Sequence, residues 1–282
     1  MDENDKVIEQ SDIFEFITET DLTLRQVNVE GVYNMRDLGG WKAQGTSTVK
    51  YGLLYRGGNL AGITEQGEKD FAEKLGIKTE IDLRSDGTQQ MTVDGVSYSR
   101  FGIGPYSMII PGFVSEPAPD NGRILRYDSA SIVSIKNIFE LLADEKNYPI
   151  YFHCNAGADR TGTLAFLING LLGVDYSDLI KDFELTTFSQ YGARYRSEIK
   201  NNKFTDNGVM NNSGNYVAFG ELYSLIMANY GAEGKPLSYA IANYLVSVCG
   251  VSEETIKTVR SIMLSGNVEF NGEDFYTPKL NG

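Results

Sequence analysis

Residues 149–173 read PIYFHCNAGADRTGTLAFLINGLLG, and no other stretch limits the possible folds so tightly. A short apolar run from Pro149 to Phe152 leads into His153. A loop of small residues follows. The segment after Arg160 is apolar on nearly all sides and stops at Gly173. This order predicts a strand, a loop and a buried helix in direct succession. Elsewhere strand-like and helix-like segments alternate. Ile77, Thr79, Ile81 and Leu83 alternate with Lys78, Glu80 and Asp82, the period of a strand. Thr64 is placed to cap a helix over 65–75, with Gly76 just past its end. Ile132, Ile135, Ile138, Phe139 and Leu142 recur at helical spacing. One or two helices are expected over 176–200, then a polar loop over 201–215. Two more helices are expected near 235–249 and 252–264, the last capped by Ser252 with Glu253 and Glu254 in its first turn. Residues 102–122, rich in Gly and Pro, read as a long loop or lid. Together these predict an α/β fold with a central, largely parallel sheet flanked by helices and a helical C-terminal part. No linker divides the chain convincingly. The expectation is one domain over 1–282, with 1–21 as an acidic, flexible extension.

Composition narrows the function classes. The chain has 282 residues, 41% hydrophobic and 22% charged, enough to bury a core without disulfides or metals. Its net charge of −13 repels nucleic acid and anionic lipid at long range, so neither is expected as a partner. An anionic substrate must therefore meet a local positive site. One His and two Cys are too few for a zinc site, and neither a metal nor a cofactor is expected. No run reaches the ~18 apolar residues of a membrane span, so stable membrane insertion is not expected. The start, MDENDKVIEQ, has no apolar segment. That is the pattern of a cytoplasmic protein as the sequence stands, or of a secreted one whose leader has been removed.

The stretch HCNAGADRTG (153–162) is where chemistry concentrates. Cys154 stands at the carboxyl end of the expected strand, Asn155 to Asp159 form the loop, and Arg160 begins the helix. Ligands of open α/β sheets bind at this edge. A loop turning into a helix aims several unpaired N–H groups at one spot, where the helix dipole adds positive potential. Asn155, Ala156, Gly157 and Ala158 let the backbone approach an anion closely, and Arg160 offers a planar fork for two phosphate oxygens. Positive neighbours at such a site lower a thiol pKa from about 8.5 to ~3.5–7.5. Cys154 would then attack phosphorus as a thiolate, giving a phosphocysteine that water hydrolyses. His153 is expected to orient loop and thiolate through hydrogen bonds, and Thr161 to donate its hydroxyl to the sulfur. The plainer alternatives are that Cys154 is a small apolar core residue, His153 a packed core histidine and Cys-x5-Arg a coincidence. The complete string meets a separate requirement at each position, which favours the phosphate site. Cys249, in a helix-like apolar run, reads as core.

HCNAGADRTG resembles the signature loop of cysteine-dependent protein tyrosine phosphatases. VYNMRDLGG (32–40), LLYRGGNL (53–60), IDLRS (81–85) and the tail 244–264 are similar to landmarks of an atypical bacterial tyrosine phosphatase family. Some secreted members of that family also act on phosphoinositides. The resemblance runs from about residue 22 to 265. It implies a cysteine-phosphatase-like three-layer fold, Cys154 as nucleophile, Arg160 as the phosphate-binding arginine and Asp159 as the family's loop aspartate. Many members carry lysine where this chain has Ala158, a lysine associated with extra phosphates on lipid head groups. Its absence and the acidic charge favour phosphotyrosine or another small phosphomonoester. Residues 194–203 form a local basic cluster that reads first as a solvated helix face and only second as a partial compensation. Asp159 is the first choice of general acid, or else a partner that positions an arginine; Asp82, Asp120 and Asp128 are the other candidates. Arg36, Asp37, Arg56 and Arg84 are expected to form an ion-pair network behind the loop or to contact substrate. Three readings stay open: a phosphotyrosine phosphatase, an inositol-phosphate or phosphoinositide phosphatase, and a phosphoprotein-binding module without turnover.

Overall fold

The computed structural model describes residues 25–85, 92–115, 124–190, 192, 194–195, 199–200, 203–204 and 214–266. The strands are β1 (Arg36–Asp37), β2 (Thr48–Val49), β3 (Leu54–Gly57), β4 (Thr79–Asp82), β5 (Ser97–Arg100), β6 (Ile150–His153), β7 (Ile199–Lys200), β8 (Lys203–Phe204) and β9 (Leu264–Ser265). The helices are α1 (Glu65–Lys69), α2 (Ala130–Leu142), α3 (Asp159–Leu171), α4 (Tyr176–Glu184), α5 (Gly214–Tyr230), α6 (Leu237–Ser247) and α7 (Glu253–Met263). The central sheet has the order β1-β3-β6-β4-β5. β3, β6, β4 and β5 run parallel, and only the edge strand β1 is antiparallel. β6 is buried at every position, as a middle strand covered on both faces must be.

The pleat of β6 sorts its side chains. Ile150, Phe152 and Cys154 enter the larger core, with α2, α3, α6 and α7. Tyr151 faces the other way, with Tyr55, Phe71 and Ile77. Helices therefore lie on both faces, giving three layers. Register brings Gly57, Asp82 and His153 to one level at the carboxyl ends of β3, β4 and β6. The loop after β6 leaves the sheet there, between two parallel neighbours.

Several segments depart from expectation. The helix capped by Thr64 loosens into a π-helical turn at Asp70–Lys74 before Gly76 ends it. Part of the supposed lid is a 3-10 turn, Tyr106–Ile109, with Tyr106, Ser107 and Ile109 buried. Tyr, Ile and Met side chains in that segment draw the backbone inward despite its Gly and Pro. Residues 116–122 of the segment lie outside the described residues. The region 176–200 holds α4, a 3-10 turn Leu185–Phe188 and then a strand, not helix throughout. Helix α5 is absent from the sequence reading. Its apolar residues are spread around the axis, so no single face announces it; Phe219, Leu222 and Ile226, its buried residues, do keep helical spacing. Among the described residues, no helix is long and apolar enough to cross a membrane.

Candidate active site

The loop after β6 is tied by its carbonyls. Asn59 donates from its amide and from Nδ2 to the Asn155 carbonyl, at 3.0 and 3.1 Å. Asn34 Nδ2 donates to the carbonyls of Ala156 and Gly157, at 3.0 and 3.1 Å. Arg56 Nη2 reaches the Gly157 carbonyl at 2.8 Å and that of Ala158 at 3.4 Å. A trans peptide points its C=O and N–H in opposite directions. With four successive carbonyls drawn outward, the amides of residues 156–159 face inward, as an anion cup requires. Gly157 is needed for this shape: its φ is +67°, and a Cβ there would stand 2.2 Å from the Gly57 carbonyl carbon.

Cys154 lies at the floor of this cup, 3% exposed. Burial alone would push its thiol up. The hydroxyl and amide of Thr161, the Arg160 guanidinium and the Ala158 amide outweigh burial and hold it below the ordinary range. The Thr161 hydroxyl is buried with no other partner, so it is free to donate to sulfur. Helix α3 begins on Ala158 without a side-chain cap, whereas Thr64, Asp175 and Ser252 cap α1, α4 and α7. Its first amides are thus left for a ligand. Arg160 is half-buried and has no carboxylate partner among the described residues. A thiol held down in this way should alkylate at a rate that levels off below pH 8.5, the value for a free cysteine, and falls only at lower pH. Iodoacetamide kinetics with peptide mapping measure this. Cys249, pushed up to about 12 by burial, should stay silent across the same range. A rate still climbing between pH 8 and 9 at Cys154 would contradict the description.

The arginines behind the loop divide into two groups. Arg36 Nε donates to Asp182 Oδ1 at 2.9 Å, and Arg56 Nη1 to Asp182 Oδ2. All three residues are almost fully buried. Burial and the neighbouring Arg36 bring Arg56 down to about 10, while Asp182 holds it up. Burial opposes ionisation of Asp182, but the two guanidiniums prevail and lower it. Arg36 also donates to Asn34 Oδ1 at 2.7 Å, which fixes the amide that ties the loop. These arginines support the cup from outside. Arg84 belongs to a separate cluster on β4 and β5, and Asp37 joins neither, accepting instead from the amides of Gly39 and Gly52, both at 2.7 Å.

The four carboxylates considered as the acid have different fates. Asp82 accepts from Arg84 Nη2 at 2.8 Å and from the Tyr98 hydroxyl at 2.9 Å, with Arg100 at 3.5 Å. Burial would raise it, but these bonds, Arg84's first, bring it below the usual carboxylate range, so it cannot keep a proton to donate. Asp128 is occupied at the start of α2, accepting from the Ala130 amide and the Ser131 hydroxyl. Asp120 lies outside the described residues. Asp159 stands in the first turn of α3, its side chain 33% exposed. It accepts from Arg194 Nε and Nη2, both at 3.0 Å, and from the Tyr106 hydroxyl. Arg194 is therefore not on a solvated helix face; the rest of its basic cluster is outside the described residues or described by backbone alone.

His153 reaches the nucleophile through the backbone of Cys154. Neighbours on a strand point to opposite faces, so its ring is turned away from the sulfur. Nδ1 lies 2.9 Å from the Cys154 carbonyl, and Nε2 lies 2.8 Å from Glu80 Oε1. Sequence reasoning missed Asn34, Glu80, Tyr106 and Asp182 as site residues, and held Arg194 only as part of the basic cluster 194–203. Asp182 had a signal: a lone carboxylate among Leu179, Ile180 and Phe183 on the apolar face of α4. Asn34 and Asn59 lay within motifs already singled out.

A sequence model of the tyrosine phosphatase family matches residues 27–265. A Cupriavidus necator protein whose name places it among tyrosine-protein phosphatases is 28% identical over 164 residues, 54% of this chain and 59% of that protein. A tyrosine-protein phosphatase of Nostoc commune is 25% identical over 127 residues, 42% of this chain and 43% of that one. The chain thus spans about half the length of these relatives. Among solved structures, the core catalytic domain of the PP-IP phosphatase SIW14 from S. cerevisiae is similar at 18% identity and a TM-score of 0.34, covering 48% of this chain and 71% of that one.

Proposed function

Because the chain belongs to the tyrosine phosphatase family, we propose that it hydrolyses phosphate monoesters, protein phosphotyrosine foremost, through a phosphocysteine intermediate. One observation carries the reading: a thiol held below its ordinary range sits under inward-facing amides, beside a guanidinium without a carboxylate partner. The loop amides and Arg160 bind the three non-bridging oxygens and stabilise their charge in the transition state. The Cys154 thiolate displaces the ester oxygen in line. Water then attacks the phosphocysteine and releases inorganic phosphate, with Thr161 donating to the departing sulfur.

Asp159 is the acid this reading assigns, since Asp82 and Asp128 are committed elsewhere. In the free protein the Arg194 fork and the Tyr106 hydroxyl both engage its carboxylate. Asp159→Asn should lower kcat roughly 10²-fold on alkyl phosphates and less on aryl phosphates, whose leaving groups need less protonation. Equal losses on both, measured by phosphate release, would remove Asp159 from that role.

Substrate choice follows from local charge. Ala158 supplies no cation to the cup, and a net charge of −13 disfavours ligands bearing several phosphates. A panel of phosphotyrosine peptides, phosphoinositides and soluble inositol phosphates tests this. Preference for the peptides is expected; preference for either inositol class would overturn the ranking.

A further inference from the structure

The contacts of His153 leave a question of proton count. Its Nδ1 faces the Cys154 carbonyl, which only accepts, so Nδ1 carries a proton. Its Nε2 faces a carboxylate oxygen of Glu80 at 2.8 Å, where two bare lone pairs would repel. A second proton must lie between them. Neither residue has water to supply or remove it, since His153 and Glu80 are 0% and 1% exposed. Among the described residues Glu80 Oε2 is buried without a hydrogen-bond partner, and Arg84 acts on it only through its charge.

The surroundings hold this pair in place. Glu80 is the register partner of Tyr151, and Asp82 that of His153. Tyr151 stacks on the imidazole with centroids 5.6 Å apart, and its hydroxyl donates to the Gly58 carbonyl. The other charged or titratable groups on this side are Asp82 and Arg84 from β4 and its end, Tyr98 and Arg100 from β5, and Tyr55 from β3. Arg84 and Arg100 pair with Asp82, which still lies close enough to His153 to feel its charge. Imidazole binds a proton more tightly than a carboxylate, with solution values of about 6.5 against 4.3.

We propose that Glu80 holds His153 as an imidazolium beneath the nucleophile, and that this buried pair, acting through the Cys154 carbonyl, orients the nucleophile's peptide and favours its thiolate. Glu80 is thus a positioning residue. A charged N–H donor to that carbonyl is shorter-ranged and stronger than a neutral one. Its positive charge also lies on the far side of a single peptide from the sulfur. The inference rests on the reading of Cys154 as the nucleophile.

The chain has one histidine, which gives a direct readout. Tag-free protein labelled with 15N in histidine should show both ring nitrogens protonated at pH 7, with a strongly deshielded Nε2 proton. Glu80→Gln keeps volume and hydrogen-bonding reach but removes the charge. It should leave a neutral ring protonated at Nδ1 and slow Cys154 alkylation at pH 6 by ~3–10-fold. A purely structural Glu80 would leave that alkylation profile in place. An unprotonated Nε2 in the parent protein, or an unchanged profile in a folded Glu80→Gln, overturns the proposal. The parent spectrum decides even if the variant does not fold. A protein with the imidazolium in place but no phosphatase activity would refute the proposed function alone.

Discussion

Replacing Cys154 by serine should abolish turnover of phosphotyrosine peptides, lowering kcat on the order of 10⁴-fold or more, while leaving the fold and phosphopeptide binding intact. The cup holds a thiol below its ordinary range, whereas a hydroxyl starts many units higher and stays protonated. The amides of residues 156–159 and Arg160 are untouched by the change, so the anion should still bind. Steady-state rates, a melting curve and phosphopeptide titration measure the three parts. In the parent enzyme, rapid quench with labelled substrate should trap phosphate on Cys154. Turnover by the serine variant at the parent's rate would exclude thiol attack. Parent and variant both inactive, yet both binding phosphopeptide, would make the protein a recognition module.

The second large effect is on stability. Asp182→Asn should cost about 3–5 kcal/mol, because it leaves the buried guanidiniums of Arg36 and Arg56 facing a neutral amide. At this chain length that is a fall in Tm of roughly 6–20 °C. The exposed Lys181–Asp178 pair one residue away is the control: Lys181→Ala should change stability by about 1 kcal/mol or less. Asp182 also gives the stability a pH sign. Its carboxyl is lowered in the folded state, so its contribution is complete above the unfolded value of about 3.9 and is lost as pH falls through the folded one. Phosphate affinity should weaken as well, since Arg56 loses the partner that aims it at the Gly157 and Ala158 carbonyls. A variant that melts and binds like the parent would show that the cup does not depend on this network.

Much of the architecture was legible because its signals are local. The apolar run before His153, the period of two in 77–83 and the cap at Thr64 each follow from the residues that form them. So does the candidate site at the level of one loop, since Cys154 to Arg160 are contiguous. What escaped was set by distant partners. The helix α5 hides its buried face in the sequence, because apolar Val217 stays exposed while Phe219, Leu222 and Ile226 turn inward, with Phe219 stacked on Phe183 at 4.3 Å. Asn34 binds the loop across more than 100 residues of chain, and Asp182 acts on it only through Arg56, so no spacing rule links either to it. Glu80 looked like the polar half of an alternating strand, yet a central parallel strand has no solvent side, so its carboxylate had to find His153. Asp159 was read as an acid or an arginine's partner; the arginine it meets, Arg194, lies 35 residues further along the chain.

The outward ties of the loop reach beyond binding to the biosynthesis of the protein. Its carbonyls are secured by Asn34, Arg56 and Asn59, which the ribosome makes early, and Arg56 is itself aimed by Asp182, made after the loop. A nascent chain that has emerged only through Arg160 holds the whole loop, yet lacks the carboxylate that sets its scaffold. The ordered form of the loop therefore waits on residues synthesised after it.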